Sequence, residues 1–175
     1  MANFINGELY GRVTQGVAWA VKFPLSLSAE PPEALAAAWQ AAMRAEPALA
    51  KVKVQSLETL VATARENPEV TRAIAEFIPP RHPSQIYEGL LEGLALFAIL
   101  WVVRVKFPKA PDGLLTGLFF ALYAIFRIFG EHFREPDAEM VGMFTKGQFL
   151  SFFMFLFAAA FFAHAWRVWR KREAV

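Results

Sequence analysis

The sequence predicts an all-α integral membrane protein with three transmembrane helices and a small extramembrane α/β cap. Of its 175 residues, 56% are hydrophobic and 18 are Phe. That is too apolar for an ordinary soluble domain, and the apolar residues are clustered. Three runs, at about residues 86–103, 113–133 and 148–166, are long and apolar enough to span a bilayer. Basic residues collect near the ends of these runs, and the net charge is only +2. This pattern suits membrane topology rather than nucleic-acid binding, for which no motif is present. With no cysteine, the chain has no disulfide, thiolate metal site or cysteine nucleophile of its own. No metal-ligand cluster is visible, and nothing in the sequence requires a cofactor.

Taken in order, the chain divides into a first segment (1–25), a cap (26–81) and a membrane domain (82–175). The first segment opens on Asn3 to Arg12, NFINGELYGR, which is dense in amides and contains Gly7 and Gly11. Glycine permits tight turns or close backbone approach to a ligand, and the amides of Asn3 and Asn6 both donate and accept. On its own this pattern fits a plain polar turn equally well. Val13 to Pro24 is moderately apolar, but Lys22 and its length argue against a full span.

The cap mixes charges of both signs with alanine and is punctuated by proline. Pro31-Pro32-Glu33 predicts a helix start, with the helix running to about Arg44. Lys51 to Gln55 alternates and predicts a short strand. Leu57–Glu66 and Pro68–Phe77 predict two short helices, the second capped by Asn67. A cap of about fifty residues is near the lower limit for an independent core.

The first span follows Arg81-His-Pro-Ser-Gln-Ile-Tyr-Glu88, and Gln85, Glu88 and Glu92 share a helical face at its start. Glu92 lies within the apolar run, so it is expected to face protein or a wet cavity rather than lipid. A lone histidine such as His82 is more often a cap or hydrogen-bond partner than a catalyst. Arg104, Lys106 and Lys109 form a basic loop before the second span. That span ends in a stripe of Tyr123, Arg127, Glu131 and Arg134, because residues three or four apart share a helix face. Such a stripe at a bilayer edge is costly unless its charges pair or hold a ligand. Its two explanations are an ion pair locking helices together and a site for an anionic ligand.

Short basic segments prefer the cytoplasmic side, which places Arg104–Lys109 and Arg167–Arg172 inside. Gln85, Glu88, Glu92, Arg127, Glu131 and Arg134 then share the outer membrane level, with Lys146, Gln148, the cap and the Asn3–Arg12 motif expected on that side. Trp101, Trp166 and Trp169 fall near the inner ends, as interfacial aromatics do. This topology needs an outer N-terminal segment of about eighty residues to cross the membrane. Met1-Ala2-Asn3 leads into a polar motif with no leader pattern, so helices upstream of Met1 are expected.

Three blocks resemble the prolipoprotein diacylglyceryl transferase family. They are NFINGELYGR at Asn3–Arg12, RHPSQIYEGLLEG at Arg81–Gly93, and YAIFRIFGEHFREPD at Tyr123–Asp137 followed by GQFLS at Gly147–Ser151. Their order and spacing agree with the family over essentially the whole chain. The resemblance implies the C-terminal portion of a larger multi-helix fold in the bacterial inner membrane, with its site on the outer, periplasmic face. It implies transfer of the diacylglyceryl group of phosphatidylglycerol to the lipobox cysteine thiol of preprolipoproteins, giving a thioether and releasing glycerol phosphate. The partners implied are phosphatidylglycerol, preprolipoprotein signal peptides and membrane lipids.

By position, Asn3, Glu8 and Gly11 match the family signature. Arg127 and Glu131 match its essential arginine and carboxylate neighbour, and Tyr123 matches a functional tyrosine. His82, Gln85 and Glu88 match the block before the first span. Catalytic roles are expected for Arg127, Glu131 and Glu8, and substrate binding for Asn3, Gly11, Tyr123, Arg134, His82, Gln85 and Glu88. The chemistry agrees, because a phosphate leaving group needs cationic hydrogen bonding as charge develops, which a planar guanidinium supplies. The attacking thiol must lose its proton, and Glu8, Glu131 and His82 are the candidate bases. Two departures stand out. Ala124 replaces a frequent glycine, and the family's upstream His/Tyr block and arginine have no counterpart here. The alternatives are an inactive membrane fragment or a lipid-headgroup-binding scaffold, and, from another class, a transporter subunit with an Arg/Glu relay, against which no inverted repeat is visible.

Overall fold

Capping residues and prolines set the helix boundaries in the first half of the chain, and glycines set the helix packing in the second. The computed structural model describes residues 2–52, 54–135 and 146–173, without the side chains of residues 2, 3 and 146. The chain forms two compact units, Met1–Pro83 and Ser84–Val175.

The first unit begins with a short helix, α1 (Ala2–Asn6), and turns at Gly7, whose φ of 73° lies in the left-handed region that glycine adopts without strain. A 3-10 turn at Pro24–Ala29 precedes α2 (Pro32–Ala45), which carries Glu33 in its first turn and Arg44 in its last, each complementing the helix dipole. α3 (Leu57–Glu66) is capped by Ser56, whose hydroxyl accepts from the Thr59 amide at 3.2 Å. α4 (Pro68–Ile74) is capped by Asn67, as the sequence predicts. The Asn67 Oδ1 accepts from the Glu69 amide at 2.9 Å, while its Nδ2 donates to Glu46 at 3.1 Å. A 3-10 turn at Ala75–Phe77 completes the second predicted helix.

These helices enclose their own core, in which Leu27, Trp39, Leu60, Val70 and Ile74 are essentially inaccessible. Each large apolar side chain buried there contributes about 1.5–3 kcal/mol. The predicted strand at Lys51–Gln55 is corrected. Pro47–Lys51 is a 3-10 turn, and among the described residues no strand forms, so the cap is helical rather than α/β. Lys53 lies outside the described residues, and among the described ones the alternation finds no partner strand, without which an extended segment gains no ladder.

One extended segment does find partners. Arg81 bridges both Val13 and Val21 through its backbone, and His82 exchanges hydrogen bonds with Gly11 and Arg12 at 3.0 Å. Pro79, Pro80 and Pro83 lack amide donors, so the pairing stops at isolated bridges. The Arg81 side chain is buried at 3% exposure, pairs with Glu30 at 2.8 Å, donates to the Gly11 carbonyl at 3.2 Å and lies over the Tyr10 ring. It pins the glycine-containing turn of the Asn3–Arg12 segment to the end of this unit.

The second unit contains three helices long and apolar enough to cross a membrane. The first runs continuously from Ser84 to Lys106, as α5 (Ser84–Glu88), a π-helical segment (Gly89–Ala95) and α6 (Leu96–Lys106). At 1.5 Å per residue, it is about 35 Å long, enough to cross a hydrocarbon core of about 30 Å. α7 (Leu114–Glu131) and α8 (Lys146–Glu173) form the main helix pair. Gly113 and Gly117 let them approach closely: a methyl group on Gly117 would sit 2.8 Å from the Phe162 ring, and one on Gly113 would sit 3.1 Å from the Phe161 carbonyl. Small residues four apart are a common device for close helix packing in membranes. Most of the predicted Glu135–Lys146 loop lies outside the described residues.

Candidate active site

The π-helical segment begins directly after Glu88 and contains Glu92. Its i→i+5 bonding widens the helix, a feature concentrated at functional sites, and both carboxylates remain on the side facing α7. Gly130 of α7 packs against this helix, since a methyl group there would meet the Glu88 side chain at 3.4 Å. Below it, Tyr87 and Phe133 pack edge to face at 5.3 Å.

Arg127 occupies the centre of a charged cluster. Its guanidinium lies 3.4 Å from Glu92, 3.6 Å from Glu88 and 3.6 Å from Glu131. Arg134 joins through Glu88 at 3.5 Å. The five side chains are between 8% and 25% exposed, so the charges are largely removed from solvent and hold one another. The separations exceed the 2.7–2.9 Å of tight charge-assisted hydrogen bonds. Arg127 is therefore shared among three carboxylates rather than locked to one. Tyr123 lies beside Glu92, and its ring stacks on Phe119. Glu131 also lies against the Gly147 backbone of α8.

The predicted site residues thus fall into two sets. Tyr123, Arg127, Glu131, Arg134, Gln85 and Glu88 all belong to the second unit. Arg127, Glu131, Arg134 and Glu88 are tied into the ionic cluster, Tyr123 lies beside it, and Gln85 is buried one turn before Glu88. Glu8, Gly11 and His82 belong to the first unit, where the Gly11 amide donates to the His82 carbonyl. Asn3 is in α1, and its side chain lies outside the described residues. Glu92 makes the shortest contact to Arg127 yet is not among the predicted site residues. The signal for it is a carboxylate inside an apolar run, one turn from Glu88, and it faces protein as expected. Gly147 also went unselected, because nothing local in the sequence shows which side chain will press against it. Ala124 is fully buried, so the extra methyl relative to glycine is absorbed in the packing of α7.

Chemically, the cluster offers two guanidiniums and three carboxylates. It can orient an anionic group on arginine, and its excess of carboxylate gives it capacity to take up a proton. Among the described residues no His, Asp and Glu grouping is suited to hold a metal ion.

Fold and site together define a polytopic α-helical membrane protein with a buried arginine–carboxylate cluster at one end of its spans. The family model described as prolipoprotein diacylglyceryl transferase matches residues 1–164, and the chain belongs to that family. It is 36% identical over 171 residues to the phosphatidylglycerol–prolipoprotein diacylglyceryl transferase of Pectobacterium atrosepticum, covering 95% of this chain and 48% of that protein. Identity to the enzyme of the same name from Serratia proteamaculans is 39% over 155 residues, covering 86% and 42%. For Azospirillum brasilense the identity is 35% over 171 residues, covering 95% and 46%. The chain spans about half the length of the curated relatives it matches. No solved structure matches it significantly.

Proposed function

We propose that this chain is the C-terminal part of a phosphatidylglycerol–prolipoprotein diacylglyceryl transferase and contributes the arginine wall of its site. The observation that carries the reading is the family match over 1–164 coinciding with an arginine, Arg127, shared among three carboxylates at the end of its spans. In this reaction the thiolate of a lipobox cysteine attacks the glyceryl carbon that bears the phosphate ester. A carbon–sulfur bond forms, the carbon–oxygen bond breaks, and glycerol phosphate leaves with the electron pair. Arg127 and Arg134 stabilise the negative charge on that phosphate. Glu88, Glu92 and Glu131 hold the guanidiniums in place and yield contacts to the incoming phosphate. One of these carboxylates takes the thiol proton. Tyr123 and Gln85 supply neutral hydrogen bonds to the headgroup, while for Asn3, Glu8, Gly11 and His82, which belong to the other unit, the roles rest on the family resemblance alone. The setting is the bacterial inner membrane, with this cluster on the periplasmic side and the basic segments inside.

The test is diacylglyceryl transfer to a lipobox peptide in phosphatidylglycerol bilayers. It compares the chain alone, a form extended N-terminally to the relatives' length, and the extended Arg127→Ala variant. Transfer is expected only from the extended form and is expected to be lost in the variant. Full transfer by Arg127→Ala would remove this residue from the mechanism. A well-folded extended form that bound phosphatidylglycerol without transfer would instead favour a headgroup-binding scaffold.

A further inference from the structure

At the opposite end of the same helices, the loop from Phe107 to Gly113 joins α6 to α7 beside the last turns of α8. The three elements surround a cavity of about 630 Å³, a size typical of ligand pockets. Its apolar lining includes Phe107, Trp166 and Trp169, and its charged lining consists of Lys106, Lys109 and Arg172. Arg172 ties the cavity together, donating to the Lys109 carbonyl at 3.3 Å and lying 3.6 Å from Asp112. That ion pair is well exposed, at 51% and 84%, and holds little energy against a competing anion. Leu114, another lining residue, and Arg127 are separated by about 20 Å along α7. The cavity is therefore distinct from the arginine–carboxylate cluster.

We infer that this cavity binds one anionic phospholipid of the adjoining leaflet. Lys106, Lys109 and Arg172 would hold the phosphate, and Phe107, Trp166 and Trp169 would contact the glycerol and first acyl carbons. The match is chemical. Three cations face one weakly engaged carboxylate, and basic residues at the ends of spans attract anionic lipid. Tryptophan is suited to the level where headgroup meets acyl chain. A soluble phosphate would gain nothing from the aromatic lining, and a zwitterionic lipid would bring no net negative charge to the three cations. The inference does not depend on the transferase reading, since it concerns other residues at the other end of the helices.

The experiment is native mass spectrometry of the full chain released from detergent, with dioleoylphosphatidylserine or dioleoylphosphatidylcholine added. The wild type is expected to retain one phosphatidylserine at concentrations where phosphatidylcholine is not retained. Lys106→Gln/Lys109→Gln/Arg172→Gln is expected to weaken that retention by about tenfold or more. Ala110→Trp, which fills the cavity and keeps every charge, should weaken it similarly, whereas Lys106→Arg/Lys109→Arg and Arg127→Gln should retain it. Equal retention of both lipids, unchanged retention in the triple and Ala110→Trp variants, loss in Arg127→Gln alone, or a second copy of the chain in place of lipid would each overturn the assignment.

Discussion

The Gly147 backbone lies against the Glu131 carboxylate so closely that a methyl group on Gly147 would overlap its Oε1 and Cδ. Glu131 in turn reaches Arg127 one turn back on α7. Position 147 therefore limits where the carboxylate can stand, and through it the guanidinium. In an ordinary helix, replacing Gly with Ala stabilises by up to about 1 kcal/mol. Here Gly147→Ala is expected to destabilise, by about 1–3 kcal/mol as an overpacked contact. Thermal unfolding in detergent gives the sign directly, and a raised midpoint would contradict the contact.

The α7–α8 pair yields a coupled prediction. Gly117→Ala places a methyl group 2.8 Å from the Phe162 ring, which must move. Gly117→Ala and Phe162→Leu are each expected to lower stability, while the double variant loses less than their sum. A coupling of about 0.5–3 kcal/mol is expected for residues in contact. Strict additivity would show that the two side chains do not meet.

Arg81 gives a third. Removing it as Arg81→Met leaves Glu30 and the Gly11 carbonyl without a buried cation, at a cost of about 3–5 kcal/mol. Replacing both partners, as Arg81→Met/Glu30→Leu, is expected to recover most of that cost, because no buried charge is left alone. Hydrogen exchange at the Gly11, Thr14, Val21 and His82 amides is the local readout. Unchanged protection in the single variant would show that Arg81 does not hold this segment.

Asn67 caps α4 and ties it to Glu46 at the end of α2. Asn67→Ala is expected to cost about 1–2 kcal/mol, toward the upper end of the range for caps because two hydrogen bonds are lost. Asn67→Asp keeps the cap but replaces the amide donor with a charge facing Glu46, and it should fall between wild type and Ala. An Asp variant less stable than Ala would mean that the Glu46 contact outweighs the cap.

Much of this fold is legible because its signals are local. Proline at a first turn and Asn67 before Pro68 marked the cap helices within a residue or two, since caps act on adjacent amides. The three spans were legible by apolar length alone, although α8 continues through Arg170–Arg172 beyond the predicted end. Helical geometry does not stop where hydrophobicity does. The strand at Lys51–Gln55 failed for the converse reason, because alternation is only half of a β signal and the other half is a partner. The π-helical turn at Gly89–Ala95 has no local pattern that separates it from an α-helical turn.

The sequence by itself determined the membrane class, the order of the helices, and the stripe of Tyr123, Arg127, Glu131 and Arg134, because periodicity and hydropathy are properties of neighbouring residues. It also placed Glu92 away from lipid, from the cost of an unpaired charge in hydrocarbon. Only the tertiary structure decided that Arg127 is shared among Glu88, Glu92 and Glu131, that Gly147 bounds Glu131, and that Lys106, Lys109 and Arg172 surround one cavity. Those relations join residues far apart in the chain. They depend on how closely two helices approach and at what register, which is set by the fit of side chains across the interface rather than by any stretch of sequence alone.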